Sequence, residues 1–314
     1  MTVRRSLLAG TDSGLVPLGD HTGRGWAGLL TSGAEASISV LVPDGQAWWA
    51  IADGRSILRA AEPSPEARRW HEEAAMTGAR ATCLAPTATG VLIGTSEAHL
   101  LRLSGGILEH VEAFDRAEGR DTWHTPWGGP PDTRSLSVGA DGTVYANVHV
   151  GGVLRSPDAG TTWQPTMDID ADVHQVLAHP HRPGLVFAAS ARGLGVSQDG
   201  AASWAFNTDG LHASYCRAVA VSDHTVLVSA STGPQGERAA VYRRLLDDDG
   251  PFEKCAGGLP EWFGGNINTF CLIGSGAAAA AGTARGDVFI SVNEGRTWER
   301  IAAGLAPVQC MAFV

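Results

Sequence analysis

Short apolar, β-rich segments recur along this chain, and each ends in a polar turn. Seven of them align: Ser6-Leu-Leu-Ala-Gly-Thr11, Ala47-Trp-Trp-Ala-Ile51, Val91-Leu-Ile-Gly-Thr95, Thr143-Val-Tyr-Ala-Asn147, Leu185-Val-Phe-Ala-Ala189, Thr225-Val-Leu-Val-Ser229 and Ala279-Ala-Ala-Gly-Thr283. A turn and a second apolar strand follow each one, as in Val153-Leu154 or Val288-Phe289-Ile290. Apolar runs this short, bounded by turns, read as β-strands.

An eight-residue motif sets the spacing. Ser156-Pro-Asp158-Ala-Gly160-Thr-Thr162-Trp163 is its cleanest copy, with variants at Ser197-Gln-Asp199-Gly-Ala201-Ala-Ser203-Trp204 and Ser291-Val-Asn293-Glu-Gly295-Arg-Thr297-Trp298. The first two start 41 residues apart and the second and third 94 apart, which is two periods of 47. A degraded copy falls between them, Asp247-Asp248-Asp249-Gly250 with Phe252 in the Trp position. A period in the forties suits a four-stranded propeller blade. The chain ends on Val308-Gln-Cys-Met-Ala-Phe-Val314, an innermost strand with nothing after it, and begins on a second strand with none before it. The expected fold is therefore an all-β, seven-bladed β-propeller over residues 1–314 as one domain. Its N- and C-terminal strands pair in one blade, which removes a free sheet edge.

The S-x-D-x-G-x-T-W pattern resembles the Asp-box of the BNR-repeat proteins, a group that includes sialidases. The resemblance implies a turn in which the Asp carboxylate accepts backbone N–H bonds, Gly supplies a positive φ and Trp packs between sheets. It also implies that these turns lie away from the ligand face. A sialidase needs in addition an arginine triad, a Tyr nucleophile with a Glu partner and an Asp acid/base. The Arg-Ile-Pro signature of that family is missing, and of three tyrosines only Tyr215 falls on the expected ligand face. Sialidase-type glycoside hydrolysis is the weakest of the functional readings.

Composition narrows the rest. A net charge of −10 argues against nucleic acid or an anionic membrane as the main partner. No apolar run reaches the length of a membrane span, and Arg4-Arg5 is followed by too short an apolar stretch for a signal peptide, so a cytoplasmic protein is expected. Of the five cysteines, Cys83, Cys271 and Cys310 share one register of the innermost strand, which reads as structural thiols in a reducing compartment.

Candidate chemistry follows from sorting polar residues by face. The longest connection on the expected ligand face runs from Asp115 to Asp132 and carries Trp123, His124 and Trp127. Loops this long in a compact fold are commonly functional. His149, His174 and His212 occupy corners of successive blades and are the expected ligands of a divalent transition metal (Cu, Fe or Zn), with Asp172 or Asp209 as carboxylates holding their rings. His124, Tyr215 and Glu261 are the expected catalytic groups, with His124 either an acid/base group or a fourth metal ligand. Arg134, Arg217, Gln175, Trp123, Trp127 and Trp262 would bind substrate, the arginines suiting an anionic small molecule. The functional expectation is a metal-dependent small-molecule enzyme at one mouth of the propeller channel. The alternative is a non-catalytic scaffold that docks a protein partner on the same face.

Overall fold

A computed structural model of the protein describes residues 6–19, 36–45, 47–61, 70–125 and 127–314. Arg4, Arg5 and Pro126 lie outside these residues.

The strands, in chain order, are β1 (Leu7–Thr11), β2 (Gly14–Leu18), β3 (Ile38–Asp44), β4 (Ala47–Ala52), β5 (Ser56–Ala60), β6 (Trp70–Ala75), β7 (Ala81–Thr87), β8 (Gly90–Thr95), β9 (Leu100–Ser104) and β10 (Ile107–His110). A short helix, α1 (Glu112–Asp115), precedes β11 (Thr133–Val138), β12 (Val144–Val148), β13 (Gly152–Ser156), β14 (Gln164–Pro165), β15 (Val173–Ala178), β16 (Val186–Ser190), β17 (Gly193–Ser197) and β18 (Ala205–Asn207). The last nine are β19 (Tyr215–Val221), β20 (Thr225–Ser231), β21 (Ala240–Leu245), β22 (Glu253–Lys254), β23 (Leu272–Ser275), β24 (Ala278–Gly282), β25 (Val288–Ser291), β26 (Glu299–Ala302) and β27 (Val308–Phe313). They form seven antiparallel sheets. Six are four-stranded with strands in sequence order, and the seventh has the order β2-β1-β27. The protein is a seven-bladed β-propeller, with the last strand closing the first blade through pairs such as Leu7↔Phe313 and Ala9↔Met311. Among the described residues no helix is long and apolar enough to cross a membrane.

The described residues fall into two compact units. One takes Met1–Ala75, Asp209–His212 and Ala220–Val314, and the other Met76–Thr208 and Ala213–Val219. In the first, β27 packs against β3 and β23, and Leu8, Ile38, Trp48, Trp70 and Cys310 share a buried cluster. In the second, β11 packs against both β7 and β15, over a core of Tyr145, Val153, Val173, Val176 and Val186.

Second strands are buried throughout, as in β4, β8 and β12, because their sheets are covered on both faces. Packing between blades is sealed by one recurring device: a side chain near the inner strand donates to a backbone carbonyl of the next blade. Cys83 Sγ reaches Thr133 O at 3.4 Å, Cys271 Sγ reaches Val308 O at 3.3 Å and Cys310 Sγ reaches Ile38 O at 3.5 Å. Asn147 Nδ2 and Ser229 Oγ do the same to Val173 O (2.8 Å) and Ile267 O (3.0 Å). Close approach requires glycine opposite two of the thiols. A Cβ on Gly94 would lie 2.4 Å from Cys83 Sγ, and one on Gly10 would lie 2.5 Å from Cys310 Sγ.

The boxed turns have the expected chemistry. Asp158 Oδ1 accepts from Thr161 N (3.1 Å) and Thr162 N (2.8 Å), Ser156 Oγ accepts from Gly160 N, and Gly160 sits at φ 90°. In the third copy Asn293 replaces Asp: its Oδ1 accepts from Thr297 N, while its Nδ2 donates to Thr297 Oγ1. The turn ahead of β13 carries His149 and the boxed turn follows β13, so the two lie at opposite ends of one strand.

Candidate functional site

The second unit brings His149, Asp172, His174, Tyr215, Arg134 and Arg217 together. His149 sits in the β12–β13 turn, with its backbone N–H bonded to Asp132 O at 3.0 Å. Asp172 ends a 3₁₀ turn, Ile169–Ala171, and adopts φ 47°, ψ 70°. A left-handed backbone is uncommon outside Gly, Asn and Asp, and is a frequent mark of functional positions. It turns the carboxylate back between two imidazoles. His149 Nε2 lies 3.2 Å from Asp172 Oδ1, and His174 Nε2 lies 3.6 Å from Asp172 Oδ2. Both rings are buried, at 4% and 1% exposure, whereas the Asp172 side chain keeps 23%.

His174 is fixed from its other side. Its Nδ1 stands 2.7 Å from Cys216 O, which makes Nδ1 the protonated nitrogen, and its ring lies 4.7 Å from that of Tyr215. Nε2 is therefore the nitrogen that gains and loses a proton, and when protonated it faces the Asp172 carboxylate. Burial, reinforced by the charges of Arg134 and Arg217, lowers the His174 pKa below its ordinary 6.5, against the raising effect of Asp172. Burial would raise the Asp172 carboxyl, but hydrogen bonds and charge from His149 and His174 hold it well below the carboxylate range. Arg134 has its pKa lowered by burial and then by Arg217, with Asp172, Tyr215 and Asp132 acting the other way. Two guanidiniums held close enough to repel beside a buried imidazole favour an anion between them.

The other expected residues fall elsewhere. Trp127 is 74% exposed and its ring covers His149 at 5.1 Å. Trp123 packs on Phe114 and under the Arg120 guanidinium, and so anchors its loop. His124 is exposed, with Nδ1 3.1 Å from Thr122 O. Gln175 uses both ends of its amide on Val219, donating to its carbonyl and accepting from its N–H at 3.1 Å each. That makes it an interstrand clamp.

His212 belongs to the first unit and to a different constellation. Its Nδ1 meets Tyr242 Oη at 2.7 Å and its ring packs on Trp262 at 4.8 Å. Lys254 Nζ lies 3.3 Å from the Trp262 ring centroid and Arg238 Cζ lies 4.4 Å from it, and Lys254 also donates to Glu261 O. Of the three expected metal ligands, His149 and His174 flank Asp172, whereas His212 is held by Tyr242 and Trp262. The two guanidiniums beside His174 also oppose a bare divalent cation at that position.

Sequence reasoning named both histidines and Asp172 but ranked the carboxylate as support. It missed a second cluster, His99, His110 and Asp115.

No family model and no curated protein matches the chain. Solved structures do match, and the likeness shows the fold alone. The computationally designed Ika8 protein is similar at TM-score 0.61 and 15% identity over 97% of this chain and 86% of its own. An ancestral GH74 enzyme is similar at TM-score 0.62 and 15% identity over 85% of this chain, which spans 38% of that enzyme. A catalytically inactive His→Ala variant of virginiamycin B lyase from Staphylococcus aureus, crystallised with quinupristin, is similar at TM-score 0.59 and 9% identity over 94% of each chain.

Proposed function

We propose that the protein is an enzyme that moves a proton on a small anionic substrate, with His174 as the acid–base group. The observation that carries this reading is the buried His149–Asp172–His174 array beside Arg134 and Arg217. Asp172 stays ionised and orients both imidazoles; the Cys216 carbonyl holds His174 in the tautomer whose Nε2 can take a proton. Arg134 and Arg217 bind the substrate carboxylate, and Tyr215 supplies a hydroxyl beside the His174 ring. Lyase or isomerase chemistry next to a carboxylate fits this set. A lyase among the similar propellers, inactive as a His→Ala variant, is consistent with it. Retaining or inverting glycoside hydrolysis fits less well, because its general acid needs a raised carboxyl pKa and that of Asp172 is lowered.

The test is His174→Asn. The Asn amide can keep the donor to Cys216 O while removing Nε2, so the variant should fold and bind the ligand. A panel of small carboxylates screened by thermal shift identifies binders, and turnover is then measured on them. His174→Asn should lose roughly 10²–10⁴-fold in kcat with little change in KM, whereas Arg217→Gln should raise KM. Undiminished turnover in His174→Asn would sink the proposal.

A further inference from the structure

We infer that His99, His110 and Asp115 form a binding site for a divalent transition metal ion, separate from the Asp172 array and independent of its reading. His99 closes the turn between β8 and β9, His110 ends β10, and Asp115 ends α1. Among the described residues, these three groups have ligand atoms that all lie within 4.8 Å of one another. His99 Nδ1 is 2.8 Å from Asp115 Oδ1, and His110 Nδ1 is 3.7 Å from Asp115 Oδ2. The second gap is too long for a hydrogen bond. Two donors that each bind one ion at about 2.0–2.1 Å stand roughly 3.3–3.7 Å apart. The His110–Asp115 separation therefore suits an ion between them, while the 2.8 Å contact of His99 is a hydrogen bond that it exchanges for the ion on binding.

The donor set and its surroundings agree. Two imidazoles and one carboxylate suit Zn, Ni, Cu or Fe(II), and leave coordination positions open for water or an exogenous ligand. Side-chain exposures of 32% for His99, 62% for His110 and 26% for Asp115 give an ion a route in, and leave His110 free to adjust. The imidazoles stand edge to face, 5.7 Å apart at 81°. His99 is aimed by a turn with two consecutive non-glycine residues at positive φ, Glu97 (68°) and Ala98 (53°). Each such residue costs about 1–2 kcal/mol.

Arg120 opposes the ion. Its guanidinium is tied to Ala98 O (2.5 Å), lies 5.1 Å from the Trp123 ring, and stands 3.2 Å from His99 Nδ1 and 3.6 Å from Asp115 Oδ1. Its charge weakens binding of a cation, and it is placed to hydrogen-bond an anion carried by the metal.

The test is calorimetric titration of the full chain with Zn(II) and Ni(II). One equivalent should bind to the wild type, and His110→Ala and His99→Ala should each weaken binding at least tenfold. His181→Ala, an exposed control, should bind as the wild type does. Arg120→Gln should bind more tightly. His110 is exposed, so its loss leaves the fold intact, and unchanged melting of His110→Ala confirms that. Absence of a stoichiometric site, or equal affinity in His110→Ala and wild type, overturns the inference; so does weaker binding in Arg120→Gln.

Discussion

Asp172 shows how one residue can draw together side chains from neighbouring blades. Its left-handed backbone brings a carboxylate to two imidazoles that sequence places 23 residues before it and two after. Both shifts that it takes part in have the same consequence for stability. Asp172 has its pKa lowered in the folded state, so the stability it adds is present above the ordinary 3.8 and is lost as pH falls. His174 is also lowered, so the unfolded chain takes up its proton first as pH drops below 6.5. Urea unfolding at stepped pH should show stability falling from about pH 6.5 downward, less steeply in His174→Asn. The acid limb of the pH–rate profile should lie below the pKa of free histidine for the same reason.

Elements in this chain are held by short polar devices at their ends and small thiols at their sides. Asp158→Ala removes the acceptor for two backbone N–H groups in the β13–β14 turn and should cost on the order of 1 kcal/mol. Turnover should be unchanged, since His149 lies at the far end of β13. Loss of activity at full stability would show that the two ends have been assigned the wrong way round.

The cysteines give a second element-scale expectation. Burial pushes the thiols of Cys83, Cys216, Cys255 and Cys271 up to about 12, and Cys310 well above its ordinary value. A disulfide-exchange reagent at about pH 8 should therefore label none of the five in the native protein and all five in denaturant. A pKa raised by folding stabilises below the ordinary value and loses that effect as pH rises, so stability should also decline above about pH 9.

At the scale of the whole molecule, the C-terminal strand is the decisive piece. β27 pairs with β1 and packs against β3 and β23. Deleting Val308 to Val314 exposes the edge of β1 and removes Cys310 and Met311 from the core. The truncated chain should unfold without a sharp transition in differential scanning calorimetry; an unchanged melting curve would show that closure contributes nothing.

The fold was legible because its causes are local and repeated. Apolar runs at a fixed period must be strands of stacked sheets, and a box of Ser, Asp, Gly and Trp must be a turn whose backbone N–H groups need an acceptor. The register shared by Cys83, Cys271 and Cys310 likewise followed from the repeat, because equivalent positions face equivalent neighbours. The site was legible only as a set of candidates. Which imidazoles meet depends on side-chain direction and on a single left-handed residue, and neither leaves a periodic trace. His149 and His174 could therefore not be told from His212, nor Gln175 as a clamp from Gln175 as a ligand. The cluster at His99 was hidden for the same reason. Its three groups come from a turn, a strand end and a helix end, and only the folded blade brings them within a few ångströms.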